Sequence, residues 1–300
     1  MNAKNWALLC ILSLIWAGAF LFAKVAVSEI QPLMLAFLRV ASAAAVLHIA
    51  LYMTGHRFNW SLSAMVPFLV MGLLNNAVPF SLLFWGQTQI AAGLAAILNA
   101  TTPIFAFLIA GVWQKQEAIA LHRFLGVFAG FAGVALILSS GFSDLESSPV
   151  WAQIACLGAA VSYGLAAAYA KRFKGTPPIV SATGQLTGST VLLLVPAIVF
   201  AGSWSPITTS AVAWANVIAL GVVATAAAYL IYFRLLAQAG ATNAALVTLL
   251  IPANTVLFGY LLLGEKLVAV QIAGFTCLLL GLLLLDGRVL RLPAIQKRKV

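Results

Sequence analysis

The sequence predicts an all-α integral membrane protein of ten transmembrane helices, arranged as two inverted-topology five-helix repeats. Three observations predict it. Hydrophobic residues make up 63% of the 300-residue chain and charged residues 7%, with a mean hydropathy of +1.08, whereas a soluble domain carries about 25% charged residues. Apolar runs of spanning length alternate with short polar connections. The second half of the chain also repeats motifs of the first.

Cutting the apolar runs at charge, Gly and Pro clusters gives spans near 6-27, 32-53, 64-86, 91-113, 122-139, 151-171, 178-201, 210-236, 241-263 and 267-286. At roughly 20 residues per crossing, ten spans leave no room for a soluble catalytic domain. The net charge of +10 is scattered singly at the ends of these runs. That pattern argues against nucleic acid as a partner and makes the lipid bilayer the surroundings. Cys10, Cys156 and Cys277 lie inside apolar runs, with neither a disulfide framework nor a metal spacing. No phosphate-binding loop or hydrolase triad is present, so neither a cofactor nor an enzymatic activity is expected. The run after Lys4 mimics a secretory signal, and Ala17-Gly18-Ala19 resembles a cleavage site, but the repeat argues that the segment is retained.

With a cytoplasmic N-terminus, every Lys and Arg falls on the cytoplasmic side except Lys24, Arg39 and Lys266. The positive-inside rule therefore places both termini in the cytoplasm, and an even number of spans satisfies that.

The repeat itself is specific. Trp16-Ala-Gly-Ala-Phe-Leu-Phe-Ala-Lys24 aligns without gaps onto Tyr163-Gly-Leu-Ala-Ala-Ala-Tyr-Ala-Lys171. Pro103, Glu117, Gly126 and Gly133 recur as Pro252, Glu265, Gly274 and Gly281, with Glu117 and Glu265 separated by 148 residues. The units are expected at 1-145 and 146-300. Each holds five spans, an odd number, so the second copy enters the membrane from the opposite side. Inverted repeats are a common architecture of secondary transporters, with the substrate site near the midplane between the copies.

On these paired motifs the chain resembles the EamA-type drug/metabolite transporter superfamily. The segment from Trp16 to Lys24 is similar to that family's first helix, and the resemblance covers essentially the whole chain. It implies a ten-helix exporter of amino acids or other metabolites. Length and aromatic content are similar to the aromatic amino-acid exporter branch. One departure is that Pro103 to Glu117 is a residue longer than Pro252 to Glu265, which affects the loop alignment.

Depth ranks the candidate substrate-binding residues, because a polar side chain in the hydrocarbon core needs a partner, a cavity or water. Asn75 and Asn76 lie midway along the third span, Asn99, Thr101 and Thr102 along the fourth, and Thr225, Thr248 and Asn254 along the eighth and ninth. Trp16, Ser162 and Tyr163 lie at corresponding depths in the first and sixth. Interior prolines add to the pattern, since each deprives the carbonyl four residues earlier of its helical partner. Pro79 is expected to free the carbonyl of Asn75, Pro103 that of Asn99 and Pro252 that of Thr248. Irregular backbone at that depth is tolerated only inside protein or beside a water-filled cavity. Spans three, four, eight and nine, with the first parts of spans one and six, are therefore expected to surround a small-molecule pathway that includes Tyr229. The competing reading is that Asn and Thr glue helices together. For Tyr169 and Tyr232, near span ends, an interfacial belt is expected.

All six acids, Glu29, Glu117, Asp144, Glu146, Glu265 and Asp286, fall at span ends or in loops. No carboxylate is left at the midplane for a proton relay. Arg39, seven residues past Pro32, lies about 10 Å along its helix. That is shallow enough to snorkel outward, the alternative being to bind a substrate carboxylate. His48 is expected at the interface, and Glu117 and Glu265 are expected to have structural roles in turns. Spans five and ten read as lipid-facing or homodimer-forming scaffold, and Gly126, Gly130 and Gly133 of span five suit either purpose. The expectation is an inner-membrane secondary exporter or facilitator of neutral or aromatic amino acids, working by alternating access. Its alternative is a proton-coupled multidrug or metabolite exporter, which would need a buried anion.

Overall fold

A computed structural model describes residues 2–114, 121–140, 148–244 and 246–287. In chain order the elements are α1 (Ala3–Ala26), α2 (Pro32–Met53), α3 (Leu62–Gln87), α4 (Ala92–Asn99), α5 (Thr102–Gln114), α6 (Leu121–Ser139), α7 (Val150–Phe173), α8 (Pro178–Val199), α9 (Ala211–Ala239), α10 (Ala241–Ala244), α11 (Val247–Leu263) and α12 (Ala269–Asp286). Among the described residues, nine spans are long and apolar enough to cross a bilayer, α4 with α5 counting as one. The apolar helix α11, at 17 residues, makes ten. Boundaries differ from the expected ones by a few residues. The largest change is in the ninth span, where 241-263 is divided into α10 and α11.

Local chemistry fixes the helix starts. Pro32 and Pro178 occupy the first helical positions of α2 and α8, where no N–H is needed. The Ser210 hydroxyl accepts from the Ala213 N–H at 3.1 Å and caps α9. Ser210 in turn donates from its hydroxyl and its N–H to the Glu29 carboxylate, at 2.6 and 2.7 Å. These bonds, the hydroxyl first, hold the Glu29 carboxyl below its usual range.

The inverted arrangement can be read from backbone contacts. A Cβ added at Gly126 would stand 2.7 Å from the Gly281 carbonyl oxygen, and one at Gly133 would stand 2.6 Å from that of Gly274. Gly126 and Gly133 are the repeat mates of Gly274 and Gly281, so the contact recurs with the roles of the copies exchanged, as a two-fold axis requires. The early glycine of α6 meets the late glycine of α12, so the two helices run antiparallel and the axis is perpendicular to them. The bilayer plane contains it. The same exchange occurs in the core. A Cβ at Gly72 would stand 2.5 Å from the Gln185 carbonyl oxygen, and one at Gly221 3.0 Å from that of Arg39. Arg39 and Gln185 are therefore equivalent positions in the two halves. The glycines read as lipid-facing or dimer-forming scaffold are used within the chain, where they let α6 and α12 approach backbone to backbone. The opposite faces, with Phe124, Phe128 and Leu280, are exposed.

The prolines act differently from one another. Ahead of Pro79, α3 widens into a π-turn over Leu73–Ala77, and the Val78 N–H donates to the Leu73 carbonyl. In the other half α9 widens over Ala219–Ala227 without any proline, and the Thr225 hydroxyl donates to the Leu220 carbonyl at 2.8 Å. Pro103 separates α4 from α5, whereas Pro252 lies inside a continuous α11. The carbonyl of Asn99, expected to stand free, accepts from the Thr102 hydroxyl at 2.7 Å.

Candidate functional site

Between the two halves lies a cavity of about 670 Å³. It runs from Gln87, at one end of the bundle, to Thr176 and Pro178 in the turn between α7 and α8. No residue of α6 or α12 lines it. The walls are mainly apolar and aromatic, with Trp16, Phe20, Phe80, Phe84, Tyr163, Tyr229, Tyr232 and Phe233. Trp16 packs on Tyr232 with ring centroids 5.6 Å apart, so Tyr232 belongs to the cavity wall instead of an interfacial belt. Tyr169 packs on Phe173, 6.1 Å away.

A polar chain crosses the space between the halves. Asn75 Nδ2 donates to Gln185 Oε1 at 2.8 Å and to the Tyr229 hydroxyl at 3.4 Å. Tyr229 donates to Asn76 Oδ1 at 3.2 Å, and Asn76 Nδ2 donates to Ser189 Oγ at 3.1 Å. In the π-turn of α3, the Leu74 carbonyl accepts from Ser162 Oγ at 2.7 Å. Backbone groups loosened by the wide turn are thus paired with side chains of the other repeat.

Arg39 does not snorkel. It is 8% exposed, and its guanidinium carbon lies 3.8 Å above the centre of the Phe80 ring. Its Nε donates to the Thr225 hydroxyl at 2.9 Å. His48, expected at the interface, is half-buried between Thr187, at 2.9 Å, and Trp60, on which it stacks.

At the Gln87 end, charged side chains bond to helix ends. Lys24 Nζ donates to the carbonyls of Gln87 and Ile90, at 2.8 and 2.9 Å, where α3 ends. Gln87 Nε2 donates to the Phe20 carbonyl at 2.8 Å. Glu265 accepts from the backbone N–H groups of Ala92 and Gly93, at 2.7 and 3.2 Å, where α4 begins. A cation at a C-terminus and an anion at an N-terminus both complement the helix dipole. Gly264, at φ 66°, turns the chain so that Glu265 folds back to make this cap. Glu117, its repeat mate, lies outside the described residues.

Seven sequence candidates converge on the cavity: Trp16, Asn75, Asn99, Thr102, Tyr163, Tyr229 and Thr248. Four do not line it. Asn76 is fully buried in the polar chain, Pro79 is buried behind the wall, and Thr225 holds Arg39. Asn254 Nδ2 donates to Ser13 Oγ at 3.1 Å and ties α11 to α1. The wall also contains Arg39 and Gln185, from the second and seventh spans, which the depth argument left out of the pathway. Asn99 Oδ1 is buried without a hydrogen-bond partner.

A ten-span bundle of two inverted halves, with a cavity between them and none of its wall drawn from the α6–α12 seam, defines a membrane transporter. The sequence profile of the EamA-like transporter family matches residues 4–139 and again residues 150–285. The chain belongs to that family. It is 25% identical over 289 residues to the uncharacterized transporter YoaV of Bacillus subtilis, covering 96% of each chain. It is 28% identical to an uncharacterized transporter of Archaeoglobus fulgidus, over 89% of this chain and 91% of that one. With the uncharacterized inner membrane transporter YedA of Escherichia coli it shares 25% identity over 87% of this chain and 83% of that one. A solved crystal structure at 18% identity has the same fold, with a TM-score of 0.66 over 98% of this chain and 100% of the other.

Proposed function

We propose that this transporter is a secondary exporter or facilitator of neutral amino acids, aromatic ones included, in the bacterial inner membrane, with both termini in the cytoplasm. One observation carries the substrate reading: an aromatic-walled cavity of about 670 Å³ is lined by Asn99, whose amide oxygen is buried with no partner. An unpaired buried acceptor is costly, and a substrate ammonium group would satisfy it while the rings pack an apolar side chain. With cytoplasmic termini, the turn holding Thr176 and Pro178 is cytoplasmic, and the cavity reaches that turn, on the donor side for export. Alternating access then consists of closing that end and releasing the Lys24–Glu265 end.

Counterflow of labelled Phe, Trp, Met and Thr into proteoliposomes carrying the purified protein tests the reading. Exchange of at least one is expected; exchange of none would rule it out. The competing reading, a proton-coupled exporter of organic cations, is disfavoured because among the described residues no carboxylate lines the cavity and an arginine does.

A further inference from the structure

We infer that Arg39 is the anchor for a substrate carboxylate, so that a solute without a carboxylate is not held in the cavity. The inference rests on the same cavity as the proposed function and narrows its substrate class.

The argument begins with an imbalance. Arg39 is buried deep in the bundle, and the titratable groups beside it are the phenols of Tyr163 and Tyr229. Among the described residues no carboxylate pairs with it. Glu29 is bonded to Ser210 and Glu265 to Ala92 and Gly93. The Phe80 and Phe84 rings, with centres 3.8 and 5.8 Å from its guanidinium carbon, and the Thr225 hydroxyl are its partners, and Thr225 engages only Nε. One neutral hydrogen bond and two ring faces, one of them at the edge of cation–π range, do not compensate the desolvation of a guanidinium; a buried charge of this kind calls for a counter-ion.

The cavity is where that counter-ion fits. Arg39 lines it, and with Nε directed at Thr225 the two terminal nitrogens remain to form the planar fork that matches a carboxylate bidentately. The aromatic face of Phe80 below and the bond to Thr225 fix the orientation of that fork before any solute arrives. The equivalent position in the other repeat is the neutral Gln185, already bonded to Asn75, so the cation is confined to one wall. Together with the unpartnered Asn99 Oδ1, the site offers one cation and one free acceptor. Those are the complements of the two ends of a zwitterion.

The test uses the purified full-length protein and four compounds with one side chain: L-phenylalanine, its amide, phenethylamine and hydrocinnamate. Thermal stabilisation in detergent is read for the wild type and for Arg39→Gln, with size exclusion confirming that the variant is folded. Phenylalanine and hydrocinnamate are expected to stabilise the wild type at concentrations about tenfold or more below those needed of the amide and the amine, and to lose that advantage in Arg39→Gln. Equal action of the amide or amine on the wild type overturns the inference, as does failure of both carboxylates at any soluble concentration. The wild-type series alone decides if the variant does not fold. Hydrocinnamate protection without amino-acid counterflow would discard the amino-acid reading and keep the anchor. Amino-acid counterflow unchanged in Arg39→Gln would keep that reading and discard the anchor.

Discussion

The carboxylate of Glu265 accepts a hydrogen bond from the backbone N–H of Ala92 across 2.7 Å, so a side chain of one repeat caps a helix of the other. The bond spans the interface that has to separate if the Gln87 end opens. Gly259 makes room for it, since a Cβ there would meet Glu265 Oε2 at 2.5 Å.

Glu265→Gln is therefore expected to loosen that end without unfolding the bundle. A charge-assisted bond is worth about 1.5–3 kcal/mol, so amide hydrogen exchange at Ala92 and Gly93 should rise about tenfold or more. Gly259→Ala should reproduce the effect by displacing the carboxylate. Unchanged exchange in both variants would show that the cap does not hold the end closed.

The glycine seam should be intolerant of size. Gly126→Leu or Gly133→Leu places side-chain atoms where backbone carbonyls now stand. Overpacking costs about 1–3 kcal/mol, so the melting temperature in detergent should fall for each. Gly111, with nothing near a built Cβ, is the control, and Gly111→Ala should leave the melting temperature unchanged.

Two asparagines of similar depth should behave in opposite ways. Asn254→Ala removes a bond to Ser13 and is expected to lower stability by about 0.6 kcal/mol, the mean for interhelical bonds in membranes, with little change in KM. Asn99→Ala removes an unpaired oxygen, so stability should hold while counterflow KM rises.

Acid should weaken the cap on α9. Hydrogen bonds from Ser210 hold the Glu29 carboxyl below its ordinary 4.5, so their stabilising contribution is complete above that pH and is lost as pH falls through the lowered value. Amide exchange at Ala213 should accelerate only below about pH 4.5. Glu29→Gln should remove the pH dependence.

Hydropathy and the paired Pro, Glu and Gly motifs made the ten spans and their duplication legible, because length, apolarity and spacing are properties of the chain itself. Depth was legible too, which is why Asn75, Asn99, Tyr163 and Tyr229 reach the cavity. The direction a helix faces was not. Asn254 and Asn99 have comparable depth, yet one is bonded to Ser13 of α1 and the other lines the cavity. Arg39 was read as snorkelling because distance along α2 was taken as distance from water, although α9 covers it from the side through Thr225. The signal that could have revealed it was its alignment with Gln185, counted from Pro32 and Pro178 at the two helix starts.

A molecule made of two equal copies about an in-plane axis would have inward- and outward-open poses of equal energy and no preferred face. The pair Arg39 and Gln185 breaks that equality, because one half carries a fixed charge where the other carries none. Any rearrangement that carries Arg39 through part of the bilayer field does electrical work, about 2.3 kcal/mol per elementary charge for a full crossing of 100 mV. At this position the membrane voltage thus bears on one half of the duplicate and not on the other, and a bound anion that neutralises Arg39 would cancel that difference.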